Sequence, residues 1–181
     1  MIWLARHGET ADNAEGRVQG SLDTPLNERG HEQAHTLAGD AAGLGLRALY
    51  SSALRRARET AAIVGERVGL DPAVDERFDE SRRGEWQGRL LHEIERDEPD
   101  AYAAWQRGDV GFRFPGGESL AEHVERVGAA LDDVDRGPLP ALVVCHGGTV
   151  RAALVARGER PLGDFQRIPV PNAALVRLEA A

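Results

Sequence analysis

The chain has 181 residues, 41% of them apolar, and its net charge is −8 because 30 acidic side chains outnumber 22 basic ones. This length predicts a single domain over residues 1–181 with enough chain for a sizeable core. The negative balance argues against a nucleic-acid partner, although a local cluster of arginines can still attract a small anion.

Cysteine content and apolar run lengths bear on location. Cys145 is the only cysteine, so no disulfide can form within the chain, which is typical of a reducing compartment. No stretch has the layout of a signal peptide, and no apolar run is long enough to span a bilayer. We therefore expect a cytoplasmic protein with no membrane partner.

Strands and helices are expected to alternate through the first half of the sequence. Residues 1–5, MIWLA, form an apolar run that predicts a buried strand ending at Arg6. Residues 11–27 are rich in Asn, Gly, Asp and Pro, and predict a long functional loop on the surface. The next predicted elements are a helix over 28–42, a strand over 46–52 and a helix over 54–69.

The second half continues this alternation. Residues 119–134 predict the clearest helix, because apolar residues recur on one face and Ser119 forms a capping box with Glu122. The other predicted elements are a short strand over 73–77, a polar segment over 79–88, helical residues 89–107 interrupted by Pro99, a strand over 141–148, a helix over 149–157 and an edge strand over 173–180.

Strands separated by helices predict an α/β fold, a three-layer sandwich with a mostly parallel central sheet flanked by helices. In such sheets, ligands bind beyond the carboxyl ends of the strands. His7 follows the first predicted strand and is followed by Gly8, and His146 has the same relation to a later strand and Gly147. We therefore expect the two histidines to meet over one pocket.

The groups at that sheet edge suit a phosphoryl group. Glycines beside the histidines let backbone N–H groups approach a ligand closely, and the helix after Gly148 begins with free N–H groups at its positive end. Arg6 supplies a planar cation that matches phosphate oxygens, and the stretch SALRRARET adds further arginines.

Six stretches carry a family resemblance: LARHGETADN, GRVQGSLDTPLNERG, YSSALRRARETA, DESRRGEWQG, PGGES and VVCHGGTVR. In this order they resemble the successive signatures of the histidine phosphatase superfamily, in its phosphoglycerate mutase-like branch, and together they cover most of the chain. The resemblance implies the fold of that branch and a small phosphorylated substrate. A homodimer is an expectation that comes with the family alone.

The resemblance also implies a role for each matched residue. His7 would attack phosphorus, and Arg6, Arg56 and His146 would bind and stabilise the transferring group. Glu80, with Asp79 beside it as the alternative, would protonate the leaving group and later activate water. The implied substrate-binding residues are Asn13, Gln19, Gly20 and Gly147. Because arginines and a helix N-terminus can supply the positive charge that a metal gives elsewhere, neither a metal nor another cofactor is expected.

Other chemical side chains have plainer interpretations. HEQAH, residues 31–35, matches the H-E-x-x-H pattern of zinc peptidases, but the neighbouring apolar spacing indicates a solvated helix face. His92 and His123 have no companions, and surface positions are expected for both. Arg113 is expected to be solvated rather than to hold a second acidic group of a substrate, and Cys145 to pack as a small apolar side chain.

The family contains both phosphatases and mutases. A mutase must keep its phosphoenzyme dry, and the resemblance implies a longer chain with the pattern E-R-x-Y-G-x-L after the acid, where this chain has ESRRGEWQG. We therefore expect a metal-independent phosphatase for small phosphomonoesters that works through a phosphohistidine. The alternatives are a cofactor-dependent phosphoglycerate mutase, or a dedicated alpha-ribazole or sugar-phosphoglycerate phosphatase, and residues 89–116 are expected to select the substrate.

Overall fold

The computed structural model describes residues 1–109 and 111–179. Its strands are β1 (Ile2–Arg6), β2 (Ala48–Ser51), β3 (Ala73–Val74), β4 (Ala141–Cys145) and β5 (Leu175–Arg177). They form one sheet in the order β3-β2-β4-β1-β5, in which only β5 runs antiparallel to its neighbour. The predicted α/β fold with a mostly parallel sheet and an edge strand at the end is confirmed. Residue 180, where that strand was predicted to end, and residue 110 lie outside the described residues.

Seven helices connect these strands in the described part of the chain. They are α1 (Ala11–Glu15), α2 (Glu28–Ala42), α3 (Arg55–Val68), α4 (Leu91–Asp97), α5 (Pro99–Arg107), α6 (Leu120–Asp135) and α7 (Gly147–Ala156). Short 3-10 turns span Glu76–Phe78, Gly84–Trp86 and Leu162–Arg167. The predicted interruption at Pro99 separates α4 from α5, and the predicted capping box opens α6.

Strand β4 lies between two helical layers, and all of its residues are buried. Val143 and Cys145 belong to the core beneath α6 and α7, whereas Leu142 and Val144 pack against α2 and α3. Successive side chains of a strand point to opposite faces, so a strand covered on both sides must be apolar throughout. Cys145 is fully buried there, as predicted, and burial raises the pKa of its thiol.

The structure corrects the sequence prediction within residues 11–27. This segment begins with α1, whose N-terminus carries a capping box. The Thr10 side chain accepts from the backbone N–H of Asn13, and the Asn13 side chain accepts from the N–H of Thr10. Asn and Asp favour helix caps as well as loops, so the polar composition did not distinguish the two. The strand predicted over 73–77 also ends early, because Asp75 caps a 3-10 turn.

No helix in residues 1–109 and 111–179 combines the length and the apolar character needed to cross a membrane.

Two glycines of α2 have opposite surroundings, and this predicts opposite effects on stability. A Cβ built at Gly39 meets nothing within 4 Å, whereas one at Gly30 lies 2.1 Å from the backbone oxygen of Glu9. Gly39→Ala should raise the free energy of unfolding by about 0.5–1 kcal/mol, because the unfolded chain loses freedom. Gly30→Ala should lower it by roughly 1–3 kcal/mol through overpacking. Urea unfolding measures both, and equal shifts would contradict the packing described.

Candidate active site

The carboxyl ends of β1 and β4 bring two histidines together. The strand register pairs Arg6 with Cys145, so that His7 and His146 are the next residues on adjacent parallel strands. Their ring centroids lie 5.1 Å apart with the ring planes at 60°, and both side chains are buried. The two histidines therefore lie together at the carboxyl ends of two neighbouring strands, as their positions in the sequence predicted.

The hydrogen bonds of His7 define which ring nitrogen carries a proton. Nδ1 lies 2.6 Å from the carbonyl oxygen of Gly8, which can only accept, so Nδ1 is the donor. Nε2 accepts from Nε of Arg56 at 3.2 Å. Burial holds the pKa of His7 well below its ordinary value, and the charges of Arg56 and Arg6 lower it further. His7 is therefore neutral, with a lone pair on Nε2.

A cavity of about 460 Å³ opens beside this nitrogen, within the size range of small-molecule sites. Eight of the nine predicted site residues line it: Arg6, His7, Asn13, Gln19, Gly20, Arg56, Glu80 and Gly147. The ninth, His146, lies behind His7 rather than across an open hollow, because its Nε2 is held 2.7 Å from Oγ of Ser52 at the end of β2.

Arg6 and Arg56 are anchored by carbonyl oxygens. Arg56 donates to the carbonyl of Leu22 at 2.5 Å and to that of Gly20 at 2.8 Å, and Arg6 donates to the carbonyl of Val170 at 2.7 Å. Burial lowers the pKa of both guanidiniums to about 10, so they stay charged near neutral pH. Within residues 1–109 and 111–179, no salt bridge joins either to a carboxylate. Their charge is therefore available to an anionic ligand.

Glu80 is a buried carboxylate in the same cavity. It accepts from the backbone N–H of Ser81 at 2.9 Å and of Gly148 at 3.0 Å, and Nη2 of Arg83 lies 3.5 Å away. Burial on its own would raise the pKa of Glu80, but the charge of Arg83, the neighbouring histidines and the hydrogen bond from Ser81 outweigh burial and hold the pKa well below the usual value. Glu80 is therefore ionised, the form that accepts a proton.

Asp79, the alternative acid, faces away from the cavity. Its Oδ1 accepts from Oγ of Ser52 at 2.7 Å and from the N–H of Ala53 at 2.8 Å. The same serine hydroxyl contacts His146, so Asp79 holds the end of β2 and the second histidine in place. Of the two neighbouring acids, only Glu80 lines the cavity.

The surface position predicted for His123 is wrong. This residue of α6 is fully buried, with Nε2 3.3 Å from Oγ1 of Thr149, and burial lowers its pKa to about 3 although the charge of Glu80 opposes the shift. A lone histidine in an amphipathic helix carries no signal in the sequence for such packing. His92 is exposed, as predicted.

Several side chains that line the cavity were not identified from the sequence. Asn172 donates to the carbonyl of His7 at 3.1 Å and to Oδ1 of Asn13 at 3.0 Å, which leaves the amide nitrogen of Asn13 for a ligand. The others not singled out include Arg83, Arg151 and Gln166, and the stretch over 89–116 contributes Leu91, Trp105 and Gln106. Arg151 alone had a usable signal, because it follows Gly147 by four residues and so lies on the same helix face.

The HEQAH histidines do not belong to this site. His31 and His35 are exposed on α2. Ala34, which lies between them in the sequence, and Leu37, which follows them, are buried. Within residues 1–109 and 111–179, no three His, Cys, Asp or Glu side chains are grouped closely enough to hold a metal ion. The segment is a solvated helix face, as its apolar spacing indicated.

A model of the histidine phosphatase superfamily (branch 1) matches residues 2–181. The chain belongs to this superfamily. The resemblance read from the six stretches and the prediction of an enzyme of the histidine phosphatase type are thereby confirmed. The probable phosphoglycerate mutase GpmB of Escherichia coli is 34% identical over 182 residues, which cover 99% of this chain and 84% of that relative.

Solved structures of this superfamily superpose closely. A mycobacterial glucosyl-3-phosphoglycerate phosphatase in complex with VO3 matches with a TM-score of 0.88 and 33% identity, over 96% of this chain and 88% of that chain. A mutant phosphoserine phosphatase from Entamoeba histolytica in complex with phosphoserine matches with a TM-score of 0.85 and 25% identity, over 96% and 87%.

The two glycines at the start of α7 provide a test of the Glu80 geometry. A Cβ at Gly148 would lie 2.1 Å from Oε1 of Glu80, whereas one at Gly147 meets only Arg6, at an ordinary 3.5 Å. Gly148→Ala should displace the carboxylate and lower kcat by about 10²-fold or more, the loss typical of a general acid. Gly147→Ala should cost far less.

Both variants should unfold at nearly the same temperature as the parent protein, since the displaced atoms belong to the end of a flexible side chain. Equal activity losses in the two variants would show that Glu80 is not the group that the Gly148 methyl displaces.

Proposed function

We propose that this protein is a metal-independent phosphatase that hydrolyses small phosphomonoesters through a phosphohistidine on His7. One observation carries the proposal: a neutral histidine presents the lone pair of Nε2 beside two carboxylate-free guanidiniums, in a cavity also lined by an ionised Glu80. We also infer a cytoplasmic location, since the single buried thiol of Cys145 requires no oxidising compartment.

In the first step, Nε2 of His7 gives up its hydrogen bond from Nε of Arg56 and forms a bond to phosphorus, while the bond from phosphorus to the leaving oxygen breaks. Arg6 and Arg56 stabilise the negative charge on the peripheral phosphoryl oxygens, and the positive end of α7 at Gly147 lines the same cavity. Glu80, ionised in the free protein, takes the proton that the ester monoanion carries and passes it to the leaving oxygen. The products of this step are the alcohol, the phosphohistidine and a Glu80 carboxylate.

In the second step, Glu80 takes a proton from water as the water oxygen attacks phosphorus. The bond from phosphorus to Nε2 breaks, which returns His7 to its neutral state. Glu80 gives its proton to the departing inorganic phosphate and is ionised again. The guanidiniums and the helix N-terminus supply the positive charge that metal ions supply in other phosphoryl-transfer enzymes. That supply of charge supports the proposal that the reaction needs no metal.

Two of the similar structures are those of proteins named as phosphatases, and this favours hydrolysis over a mutase reaction. The chain also has ESRRGEWQG where the mutase pattern carries a tyrosine. The relative GpmB is named a probable phosphoglycerate mutase, which keeps isomerisation as the second candidate function.

Phosphate release in excess chelator tests the proposal, with 3-phosphoglycerate, sugar phosphates, nucleotides and alpha-ribazole phosphate as substrates. Steady hydrolysis is expected. His7→Ala should lower turnover by roughly 10³-fold or more, because the nucleophile is removed. His31→Ala, which removes an exposed histidine, is the matched control and should retain full turnover.

Alkaline quenching during turnover of a ³²P-labelled ester should trap a label on the parent protein that survives alkali and is lost in acid, and no label on His7→Ala. Isomerisation of 3-phosphoglycerate without phosphate release would favour the mutase, and loss of activity in chelator would contradict the metal-free reaction.

The pH dependence of kcat/KM should report the ionisation of the substrate's phosphate group rather than the titration of an enzyme group. The lowered pKa values keep His7 neutral and Glu80 ionised near neutral pH, so the proton for the leaving group arrives with the ester monoanion. This form disappears above a second phosphate pKa of about 6, and kcat/KM should fall as the pH rises through it. If the profile is measured on two esters whose second phosphate pKa values differ by about one unit, the inflection points of the two profiles should differ by about one unit as well. A common inflection would instead indicate titration of an enzyme group.

A further inference from the structure

We propose that the cavity holds a second anionic group of the substrate, a carboxylate, at the guanidinium of Arg151 beside Gln166. The inference rests on the proposed function, because it takes the phosphoryl group to lie against His7, Arg6 and Arg56.

The first argument is the charge of the cavity wall. Its cationic side chains are Arg6, Arg17, Arg56, Arg83 and Arg151, and Glu80 is the only acidic side chain among its described residues. A wall of this sign is unusual in a chain whose net charge is −8. It predicts a ligand with more than one negative charge.

The second argument concerns which of these arginines already pair with a carboxylate of the protein. Nε of Arg17 lies 2.7 Å from Glu15, and Nη2 of Arg83 lies 3.5 Å from Glu80. In the part of the chain that the structure describes, no carboxylate lies within 4 Å of Arg6, Arg56 or Arg151. A bound phosphoryl group carries about −1.5 to −2 charges, which offsets two of these three. One guanidinium is left over.

The third argument is how Arg151 is held. Its Nε donates to the carbonyl of Ile168 at 2.9 Å, and Nη1 lies 3.5 Å from Oε1 of Gln166. The amide nitrogen of Gln166 is buried and has no hydrogen-bond partner within residues 1–109 and 111–179. The protein thus fixes the guanidinium through neutral oxygens and leaves donors beside it unused. A carboxylate accepts only, and it pairs with a guanidinium through two parallel hydrogen bonds.

The position of Arg151 limits the spacing of the two anionic groups. It follows Gly147 by four residues in α7, which is a displacement of about 6 Å along the helix axis. Gly147 begins the helix end that faces the phosphoryl group. The carboxylate of a matching substrate is therefore expected only a few bonds from its phosphate ester.

Arg113, which was considered from the sequence for this role, has a different position. It is exposed, pairs with Glu122 and does not line the cavity. It therefore serves as the matched control, since Arg113→Gln removes one guanidinium of the same chain without touching the proposed subsite.

The test compares esters that differ mainly in one carboxylate: phosphoserine with phosphoethanolamine, and 3-phosphoglycerate with glycerol 3-phosphate. The parent protein should prefer the carboxylate member by about tenfold or more in kcat/KM, the scale of one charged hydrogen-bonded contact. Arg151→Met, which keeps an apolar stem, should bring this ratio close to one, chiefly through KM. Arg151→Lys should restore part of it, and Arg113→Gln should leave the ratio at the parental value.

A ratio near one in the parent protein, or a ratio that Arg151→Met leaves unchanged, overturns the subsite while the hydrolysis itself upholds the proposed function. If no ester is hydrolysed, the proposed function fails, and calorimetric binding of the same pairs to His7→Ala, with and without Arg151→Met, still decides the subsite. Equal Kd values for both members of each pair would then overturn it.

Discussion

The site depends on positive charge that is buried without a carboxylate to neutralise it. Arg56 donates through Nε to Nε2 of His7 and through its other nitrogens to backbone carbonyls of Gly20 and Leu22. Carbonyl oxygens satisfy N–H groups but carry no net charge, so the field of the guanidinium persists in the cavity. Burial and that field together lower the pKa of His7, and the field attracts an anion to the same place. Burying such a charge is costly, which explains why so much of the surrounding chain is fixed by hydrogen bonds.

The second requirement is a carboxylate kept close to this cationic centre without forming an ion pair with it. Glu80 lies in a loop that a buried ion pair holds in place: Glu118, 1% exposed, accepts from Arg126 and from the backbone N–H of Arg82. Arg126 also donates to the carbonyls of Arg77 and Asp79, on the other side of Glu80. The loop is therefore held on both sides of the acid, which leaves Glu80 to interact with Arg83 and the start of α7.

How far the sequence could predict this site depends on where each residue lies relative to a strand end. His7 and His146 follow apolar runs, and two parallel neighbouring strands necessarily bring such positions together, so their meeting was predictable. Arg151 offered a signal through its helical spacing from Gly147, whereas Asn172 reaches the cavity only because the segment before β5 packs against the end of β1, which local patterns do not encode. His123 was misplaced for a related reason: its burial follows from the packing of α6 over the Asp79 and Thr149 region, not from its own neighbours in sequence.

The position of His146 behind His7 follows from the chemistry of Ser52. A carboxylate oxygen can only accept, so the Ser52 hydroxyl donates to Asp79 and must accept from Nε2 of His146. Nε2 therefore carries the proton, and Nδ1 is a buried acceptor that has no hydrogen-bond partner among the described residues. The role that the family resemblance assigns to His146, binding of the transferring phosphoryl group, requires a donor at Nδ1. That role is consequently open to His146 only when it gains a second proton, and burial together with the charge of Arg56 opposes this by holding the pKa of His146 well below its ordinary value.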